Sequence, residues 1–439
     1  MRDRTERLFT SGNRPSALSA IFIGLGLFAG SCNSSTSSTS EASAAEYGSD
    51  TVQTAVGSLI LPAPYATESV ENRSELVGWP DGETPDAPPG FTVTRFADDL
   101  QHPRWSYVAP NNDIFVSESD DDGGANRITL LRDTDGDGQV DMQETFIDGL
   151  NQPFGMLVVG NTFYVANTDG LYKFPYEEGQ TSIDKDLGEK IVSLPAGGYN
   201  HHWTRNVITN EAKDKLYIAV GSASNVGEYG MEEEERRANI LVTDLDGNNE
   251  IIYASGLRNP VGIDWNPANG QLWAAVNERD KLGNNLVPDY ITSVQKGGFY
   301  GWPYSYYGQI VDPRRAGEAP GLVERAIIPD VSVGPHTASL GLVFYDAEQF
   351  PAQYRNGAFV GQHGSWNRAN LSGYKVVFVP FENGKPTGEP QDFLTGFMAD
   401  ESDSEVYGRP VCVAITPQGD LLVNDDDGNV IWKVSYTGE

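Results

Sequence analysis

The feature that most restricts the fold of this chain is an internal repeat of paired strands. Six times, a short polar or cationic stretch leads into an apolar run, a turn and a second apolar run. The six units open at residues 101–108, 151–158, 202–208, 258–265, 336–343 and 409–415. Roughly fifty or more residues per unit suit a four-stranded propeller blade, because stacked blades bury their faces and hide their sheet edges. The pattern therefore predicts an all-β fold, a six-bladed β-propeller, over residues 91–439.

Composition supports this prediction and limits the possible partners. The chain has 48 Gly and 26 Pro among 439 residues and no long amphipathic helical pattern, which favours short strands joined by turns. The formal net charge of −32 repels nucleic acid phosphates and anionic lipid headgroups, so neither is expected to bind. Because positive charge is scarce, any cluster of arginine and histidine becomes informative.

The first 32 residues have the features of a bacterial lipoprotein signal peptide. A basic start is followed by an apolar run at 17–29, which is shorter than a membrane-spanning helix. Residues 29–32 then read Ala-Gly-Ser-Cys, which resembles a bacterial lipoprotein cleavage box and predicts Cys32 as the lipidated residue. Ordinary secretory cleavage and a retained anchor are the alternatives. We expect an exported lipoprotein, periplasmic or at the cell surface, that contacts the membrane only through its lipid.

Two segments separate this signal from the repeat. Residues 33–58 begin with a Ser/Thr-rich stretch typical of a flexible tether. Residues 59–90 are richer in proline and aromatic residues and are predicted to form an irregular N-terminal arm on the main domain. Only one cysteine, Cys412, would remain after cleavage; it lies in an apolar strand pattern and is expected in the core, without a disulfide.

The openings of the six repeat units are rich in histidine and arginine. In a propeller, equivalent positions of successive blades converge on the central channel. Four of the five histidines occupy these positions, together with several arginines. The residues concerned are His102, Arg104, Gln152, His201, His202, Arg205, Arg258, Asn259, His336 and Arg409. Such a ring predicts an anionic ligand and a proton acceptor, although each side chain could instead form a hydrogen bond between blades.

Several longer motifs in a fixed order resemble one family. They are residues 200–206, 255–260, 276–280, 297–303, 336–341 and 361–368. Together they resemble the sorbosone dehydrogenase family, which is related to the soluble glucose dehydrogenases that use pyrroloquinoline quinone (PQQ). The resemblance extends from about residue 59 to the C-terminus. It implies a six-bladed propeller with PQQ across the channel mouth, a histidine base, hydride transfer to the quinone, and a calcium ion that polarises it.

The resemblance also implies roles for individual residues. The base is His201 or His202, depending on which histidine-arginine spacing is matched, and Arg258 assists at the reacting centre. The residues expected to contact the cofactor are Arg104, Gln152, Arg205, Arg258, Asn259, His336, Thr337, His363, Arg368 and Arg409, of which Arg104 rests on the repeat alone. Calcium would be bound by backbone carbonyls at Arg279 and Asp280, where the Gly-Pro of the relatives is replaced. The expected partners are a small sugar and a separate electron acceptor.

A second calcium motif lies apart from the residues expected at the channel mouth. Residues 133–144 have the spacing of an EF-hand calcium loop, without evident flanking helices. The expected ligands are Asp133, Asp135, Asp137, Asp141 and Glu144. We predict a structural calcium ion in a loop between strands; an acidic turn without metal is the alternative.

Two other functions compete with sugar oxidation. A calcium-dependent, lactonase-like hydrolase could use the same fold, but it would need acidic and amide side chains around a central metal. A non-catalytic binding propeller would not need paired histidines beside arginines. The residues at the blade openings therefore favour the PQQ-dependent sugar dehydrogenase.

Overall fold

The structure, a computed structural model, describes residues 48–120, 124–400 and 404–438. The predicted signal peptide, its Cys32 and the first part of the predicted tether lie outside the described residues. Within the described ranges, no helix is long and apolar enough to cross a bilayer.

Six antiparallel sheets of four strands are arranged as the blades of a propeller, which confirms the predicted fold. The first strand of each blade is innermost, because it packs against the first strands of its neighbours. Blade 1 consists of Pro103–Val108, Ile114–Glu118, Arg127–Arg132 and Met142–Ile147; blade 2 of Pro153–Val159, Thr162–Asn167, Gly170–Pro175 and Glu189–Ser193; and blade 3 of Arg205–Thr209, Lys215–Val220, Asn239–Asp244 and Ile251–Ser255.

The second half of the ring repeats this arrangement, with one exception at its end. Blade 4 consists of Pro260–Trp265, Leu272–Val276, Pro288–Ser293 and Val331–Pro335; blade 5 of Ser339–Phe344, Ala358–Gln362, Lys375–Val379 and Gln391–Leu394; and blade 6 of Pro410–Ile415, Leu421–Asp425, Val430–Tyr436 and Phe91–Ala97. The outermost strand of blade 6 thus comes from the N-terminal side of the repeat. It pairs from Phe91 with Tyr436 to Ala97 with Ile431, so the two ends of the propeller sequence close the ring.

The innermost strands approach each other closely enough to require glycine. A Cβ atom on Gly262 would lie 2.5 Å from the Leu340 carbonyl oxygen of the next blade. A Cβ atom on Gly341 would collide with the Val411 carbonyl oxygen of the blade after that. Both glycines occupy the same repeat position, two residues after the start of the first strand. Their absent side chains let the blades converge tightly around the axis.

The segment before the first blade is partly ordered. Asp50–Thr54 and Gly57–Leu61 form a hairpin, and Val52 and Leu61 are buried in the apolar core shared by blades 3 and 4. The composition predicts a flexible tether up to residue 58, but the alternating apolar residues of this hairpin pack onto the propeller instead. Beyond the hairpin, the indole of Trp79 donates a 2.7 Å hydrogen bond to Asp425.

The remaining elements are short and lie in connections between strands. Glu75–Leu76 pairs with Glu405–Val406, Ser305–Tyr306 with Ile310–Val311, and Phe381–Glu382 with Lys385–Pro386. The described α-helix is Pro320–Val323, and the 3₁₀ turns are Lys185–Leu187, Pro313–Arg315 and Ala352–Tyr354. The buried Cys412 is a free thiol within the core, as its strand pattern predicts.

Candidate active site

A cavity of about 300 Å³ opens where the innermost strands begin. All five histidines of the sequence line it: His102, His201, His202, His336 and His363. Five of the six blades contribute lining residues, so the cavity lies near the propeller axis. The repeat alone locates four of these histidines at blade openings, and the structure gathers them with the fifth.

Residues from a second repeat position complete the cavity. Because adjacent strands are antiparallel, the second strand of each blade ends beside the start of the first. Asp120, Asn277, His363, Asp426 and Asp427 follow second strands and all line the cavity. Of these, only His363 is among the residues predicted from the sequence. The signal that could have found the others is their position after a second strand, not their residue type.

Apart from His201 and His202, the arginine and histidine side chains that line the cavity contact aspartates. Asp426 forms an ion pair with Arg104 and accepts a 2.8 Å hydrogen bond from Nε2 of His363. Asp427 lies 3.7 Å from Arg409 and also 3.7 Å from His102. Aspartates thus lie against the arginines and most of the histidines, whereas the sequence pattern predicts a mainly cationic ring.

Two of the histidines have opposite protonation states. Nδ1 of His336 lies 3.1 Å from Asp280, and its Nε2 lies 2.9 Å from the Gly283 carbonyl. Both partners only accept hydrogen bonds, so His336 is an imidazolium; burial opposes this charge, but Asp280 raises its pKa above the ordinary value. In contrast, burial and the nearby Arg409 lower the pKa of His363 to about 3, so this ring is neutral.

His202 has the geometry of a neutral proton acceptor. Its Nδ1 lies 2.9 Å from the Ser222 carbonyl oxygen and 2.9 Å from Ser222 Oγ. The Ser222 hydroxyl donates its own hydrogen to the Ser224 carbonyl at 2.6 Å, so both contacts require Nδ1 to be the donor. Burial, and next the charge of Arg258, lower the pKa of His202 well below its ordinary value of 6.5. The neutral ring therefore carries its lone pair on Nε2.

His201 is in a different environment, although its ring centroid is only 4.7 Å from that of His202. Its side chain is exposed, and its Nδ1 lies 3.5 Å from the hydroxyl group of Tyr199. Burial of part of the ring and the charge of Arg258 also lower the pKa of His201. His201 therefore lies at the mouth of the cavity, and His202 lies deeper.

Five of the ten residues that the sequence predicts to contact the cofactor do not line this cavity in the described structure. They are Gln152, Arg205, Arg258, Thr337 and Arg368. Gln152 donates a 3.1 Å hydrogen bond to the carbonyl oxygen of Asp120. The hydroxyl of Thr337 donates to a carboxylate oxygen of Asp289 at 3.0 Å. Arg368 donates to a neighbouring amide at 3.2 Å, in a groove outside the cavity.

Arg205 binds the backbone around His202. Its guanidinium donates hydrogen bonds to the carbonyl oxygens of His202, Thr204 and Pro195 at 2.7, 2.8 and 2.8 Å. The side chain is fully buried, and burial lowers the pKa of Arg205 to about 9. Sequence motifs predict a cofactor contact here because they show the charge but not the direction of the side chain. The role that the contacts indicate is to fix the backbone that carries His202.

In the backbone predicted to bind calcium at Arg279 and Asp280, carbonyl oxygens already accept hydrogen bonds from protein side chains. The Asp280 carbonyl accepts hydrogen bonds from Arg279 at 2.9 and 3.1 Å and from Asn225 at 3.0 Å. One nitrogen of Arg258 lies 2.8 Å from the Glu278 carbonyl oxygen. A calcium ion here would have to displace a guanidinium from its oxygen and remain beside that charge. This donor set does not fit a calcium ion.

The predicted calcium loop is at the other end of the propeller. It joins the third and fourth strands of blade 1, so it lies opposite the cavity. Carboxylate oxygens of Asp133, Asp135 and Asp141 come within 4.8 Å of one another, the spacing of a shared cation. Asp137 and Glu144 are not part of this group; Glu144 is exposed on the fourth strand. The loop thus brings together three of the five predicted ligands.

If this loop binds calcium, metal-free protein should take up one Ca²⁺ ion and become more stable to heat. Asp135→Asn should weaken the affinity by more than about tenfold, because it removes one of the three anionic ligands. Asp137→Asn is the matched control, since this carboxylate lies outside the group, and it should have a smaller effect. Calorimetric titration measures both; equal affinities for Asp135→Asn and the wild type would show that the ion binds elsewhere.

The fold and site define a class: six-bladed propellers with a polar cavity at the axis, lined by histidine, arginine and aspartate. The chain belongs to the TrAA12-like family, whose model matches residues 85–296 and 323–437. This match establishes a family at a coarser level than the resemblance to sorbosone dehydrogenases, which stays a prediction.

Individual proteins extend this comparison. An uncharacterized protein of Borreliella burgdorferi is 32% identical over 302 residues, which cover 66% of this chain and 78% of that protein. A pyrroloquinoline quinone-dependent sugar dehydrogenase of Hypocrea jecorina is 23% identical over 182 residues, or 36% of this chain and 42% of the relative. The holo form of the pyranose dehydrogenase PQQ domain from Coprinopsis cinerea superimposes with a TM-score of 0.68 at 20% identity, covering 83% of this chain and 100% of that domain. This structural likeness shows the shared fold.

Proposed function

We propose that this protein is a PQQ-dependent oxidoreductase that oxidises a sugar or a sugar aldehyde in the axial cavity. The observation that carries the proposal is the gathering of all five histidines, with Arg104 and Arg409, in one cavity of a TrAA12-like propeller. Relatives named as PQQ-dependent and aldose sugar dehydrogenases support the same chemistry. The substrate that we propose is a sorbosone-like sugar aldehyde or an aldose.

The residues of the cavity fit PQQ, a planar quinone with three carboxylates. The volume of about 300 Å³ lies at the lower end of the range for small-molecule sites, roughly 300–1,000 Å³. Two buried atoms beside it, Nε of Arg104 and Oδ1 of Asn259, have no hydrogen-bond partner in the described protein. An unpartnered donor suits a carboxylate, and an unpartnered acceptor suits a ring N–H. When bound, PQQ supplies an ortho-quinone that accepts two electrons.

The protein's own groups have separate tasks in this mechanism. Arg104 and Arg409 would bind and orient the carboxylate groups. Both N–H groups of His336 are already donated to Asp280 and Gly283, so this imidazolium would contribute only its positive charge. His202 accepts the proton of the substrate hydroxyl on Nε2, because Nδ1 is held by Ser222. Arg205 keeps the backbone of His202 in place. We propose His202 as the base on the strength of this fixed tautomer, and His201 as a group at the cavity mouth that contacts substrate.

The proposal is tested by titrating the purified protein with PQQ and following its absorbance. Saturable binding, followed by reduction of a redox dye when an aldose is added, is the expected result. Parallel titrations with EDTA and with calcium examine the metal, and calcium is expected to leave PQQ affinity unchanged because Arg279 and Arg258 occupy the backbone oxygens. Absence of any PQQ binding, or hydrolysis of a lactone without PQQ, would contradict the proposal and favour the hydrolase. We further propose that a separate partner accepts the electrons and that a lipid on Cys32 anchors the protein to the membrane.

A further inference from the structure

The exposed aromatic side chains of the described protein are concentrated at one place. Among its tyrosine, tryptophan and phenylalanine residues, only Tyr199 and Tyr229 are highly exposed, with 44% and 55% of their surface accessible. Their ring centroids are 4.7 Å apart and their planes are inclined by 54°. Aromatic rings left in contact with water and close together indicate a binding surface, because burying them against a ligand is favourable.

This pair lies directly beside the axial cavity. The ring of Tyr199 is parallel to that of His201, with an angle of 2° and 5.8 Å between centroids. His201 in turn contacts His202, and both histidines line the cavity. A continuous row of rings therefore runs from Tyr229 on the surface to the proposed base. A ligand that fills the cavity and projects out of it on this side would lie across the two tyrosines.

The chemistry around the two tyrosines selects for a neutral ligand. The loop that carries Tyr229 also exposes Glu228, Glu232, Glu233 and Glu235, and these carboxylates repel anions. A sugar ring matches this surface because it has an apolar C–H face for stacking and a polar edge for hydrogen bonds. The tyrosine hydroxyls and the flanking carboxylates can bond to that edge.

We propose that Tyr199 and Tyr229 form a second saccharide subsite at the mouth of the cavity. It binds the adjacent ring of a neutral oligosaccharide or glycoside, while the ring to be oxidised occupies the cavity beside His202. The orientation of the ligand rests on the proposed function, but binding of the outer ring does not. The substrate class is therefore a saccharide of two or more units.

The test compares affinities for a neutral disaccharide and its monosaccharide, using saturation-transfer NMR and calorimetry on protein without cofactor. The wild type should bind the disaccharide about tenfold or more tightly, because the outer ring adds stacking contacts with two aromatic side chains. In the double variant Tyr199→Ala/Tyr229→Ala this preference should disappear. The double variant Tyr199→Phe/Tyr229→Phe, which keeps both rings, should retain most of it. Loss of the preference in the phenylalanine variant to the same extent would overturn stacking as its cause.

Two further outcomes would overturn the subsite. Equal affinity of the wild type for mono- and disaccharide is one. The other concerns the alanine double variant loaded with PQQ. A higher KM for the electron acceptor, with an unchanged affinity for the disaccharide, would show that the tyrosines bind a redox partner instead. Failure of the proposed function has a different signature. A disaccharide preference that depends on the two rings, in a protein that neither binds PQQ nor oxidises sugars, would support the subsite and reject the oxidase.

Discussion

Replacement of His202 by alanine should lower the turnover of PQQ-loaded protein by a factor of about 10² to 10⁴, the usual contribution of a positioned proton acceptor. PQQ affinity, measured by absorbance titration, should change only a few-fold, because His202 faces the substrate hydroxyl in our proposal. His201→Ala is the matched control, since its ring lies 4.7 Å away on the exposed side. We expect a smaller loss of turnover from this control, and a larger loss would identify His201 as the base.

The pH dependence of the wild type provides a second measurement on the same residue. A base must be unprotonated to work, so kcat/KM falls as the pH drops through the pKa of the folded-state histidine. Burial lowers the pKa of His202 well below 6.5, so the acid limb of the profile should lie below that pH. A midpoint above 6.5 would contradict the role of His202. Nitrogen NMR of labelled histidine should also find its hydrogen on Nδ1, as the contacts with Ser222 require.

Removal of residues 1–97 should abolish cooperative folding. This deletion takes away Phe91–Ala97, the outermost strand of blade 6, and exposes the edge of Val430–Tyr436. It also removes the ring of Phe91, which lies 4.8 Å from Phe350 and 5.2 Å from Phe393 in the neighbouring core. The propeller would then have an open edge that can pair with other chains, and an unclosed ring.

The control for this deletion is a chain that lacks only residues 1–47. It keeps the hairpin, the arm and the closing strand, so it should unfold in one transition at nearly the temperature of the longer chain. Thermal unfolding followed by circular dichroism and calorimetry, with size-exclusion chromatography for aggregation, compares the two chains. A monomeric, cooperatively folding chain that begins after residue 97 would show that the closing strand is dispensable.

The repeat predicts much of this architecture correctly because it is a local pattern. Apolar runs separated by turns define strands, and their sixfold recurrence defines blades. Convergence at the axis then follows from geometry, which explains why residues such as His102 and Arg409 can be located in the cavity from the chain alone. The hairpin at Asp50–Leu61 is less predictable, since its strands depend on a core built by distant blades.

The sequence motifs do not predict the direction in which each charged side chain points. Arg205 and Arg258 open their blades just as Arg104 and Arg409 do, but only the latter two line the cavity. The difference arises from partners that are remote in sequence. For example, Arg104 meets Asp426 across 322 positions, and a repeat read along the chain does not show such a pair.

The sequence by itself thus determined the six blades and the end of the propeller at which the histidines collect. The tertiary structure decided which side chains enter the cavity, which ring nitrogen of His202 carries its hydrogen, and that guanidinium groups hold the Asp280 and Glu278 carbonyl oxygens. The physical reason is the separation along the chain between the residues that interact. Strand patterns arise from residues close together in the chain, whereas protonation and metal binding depend on charges and oxygens brought together only when separate blades pack.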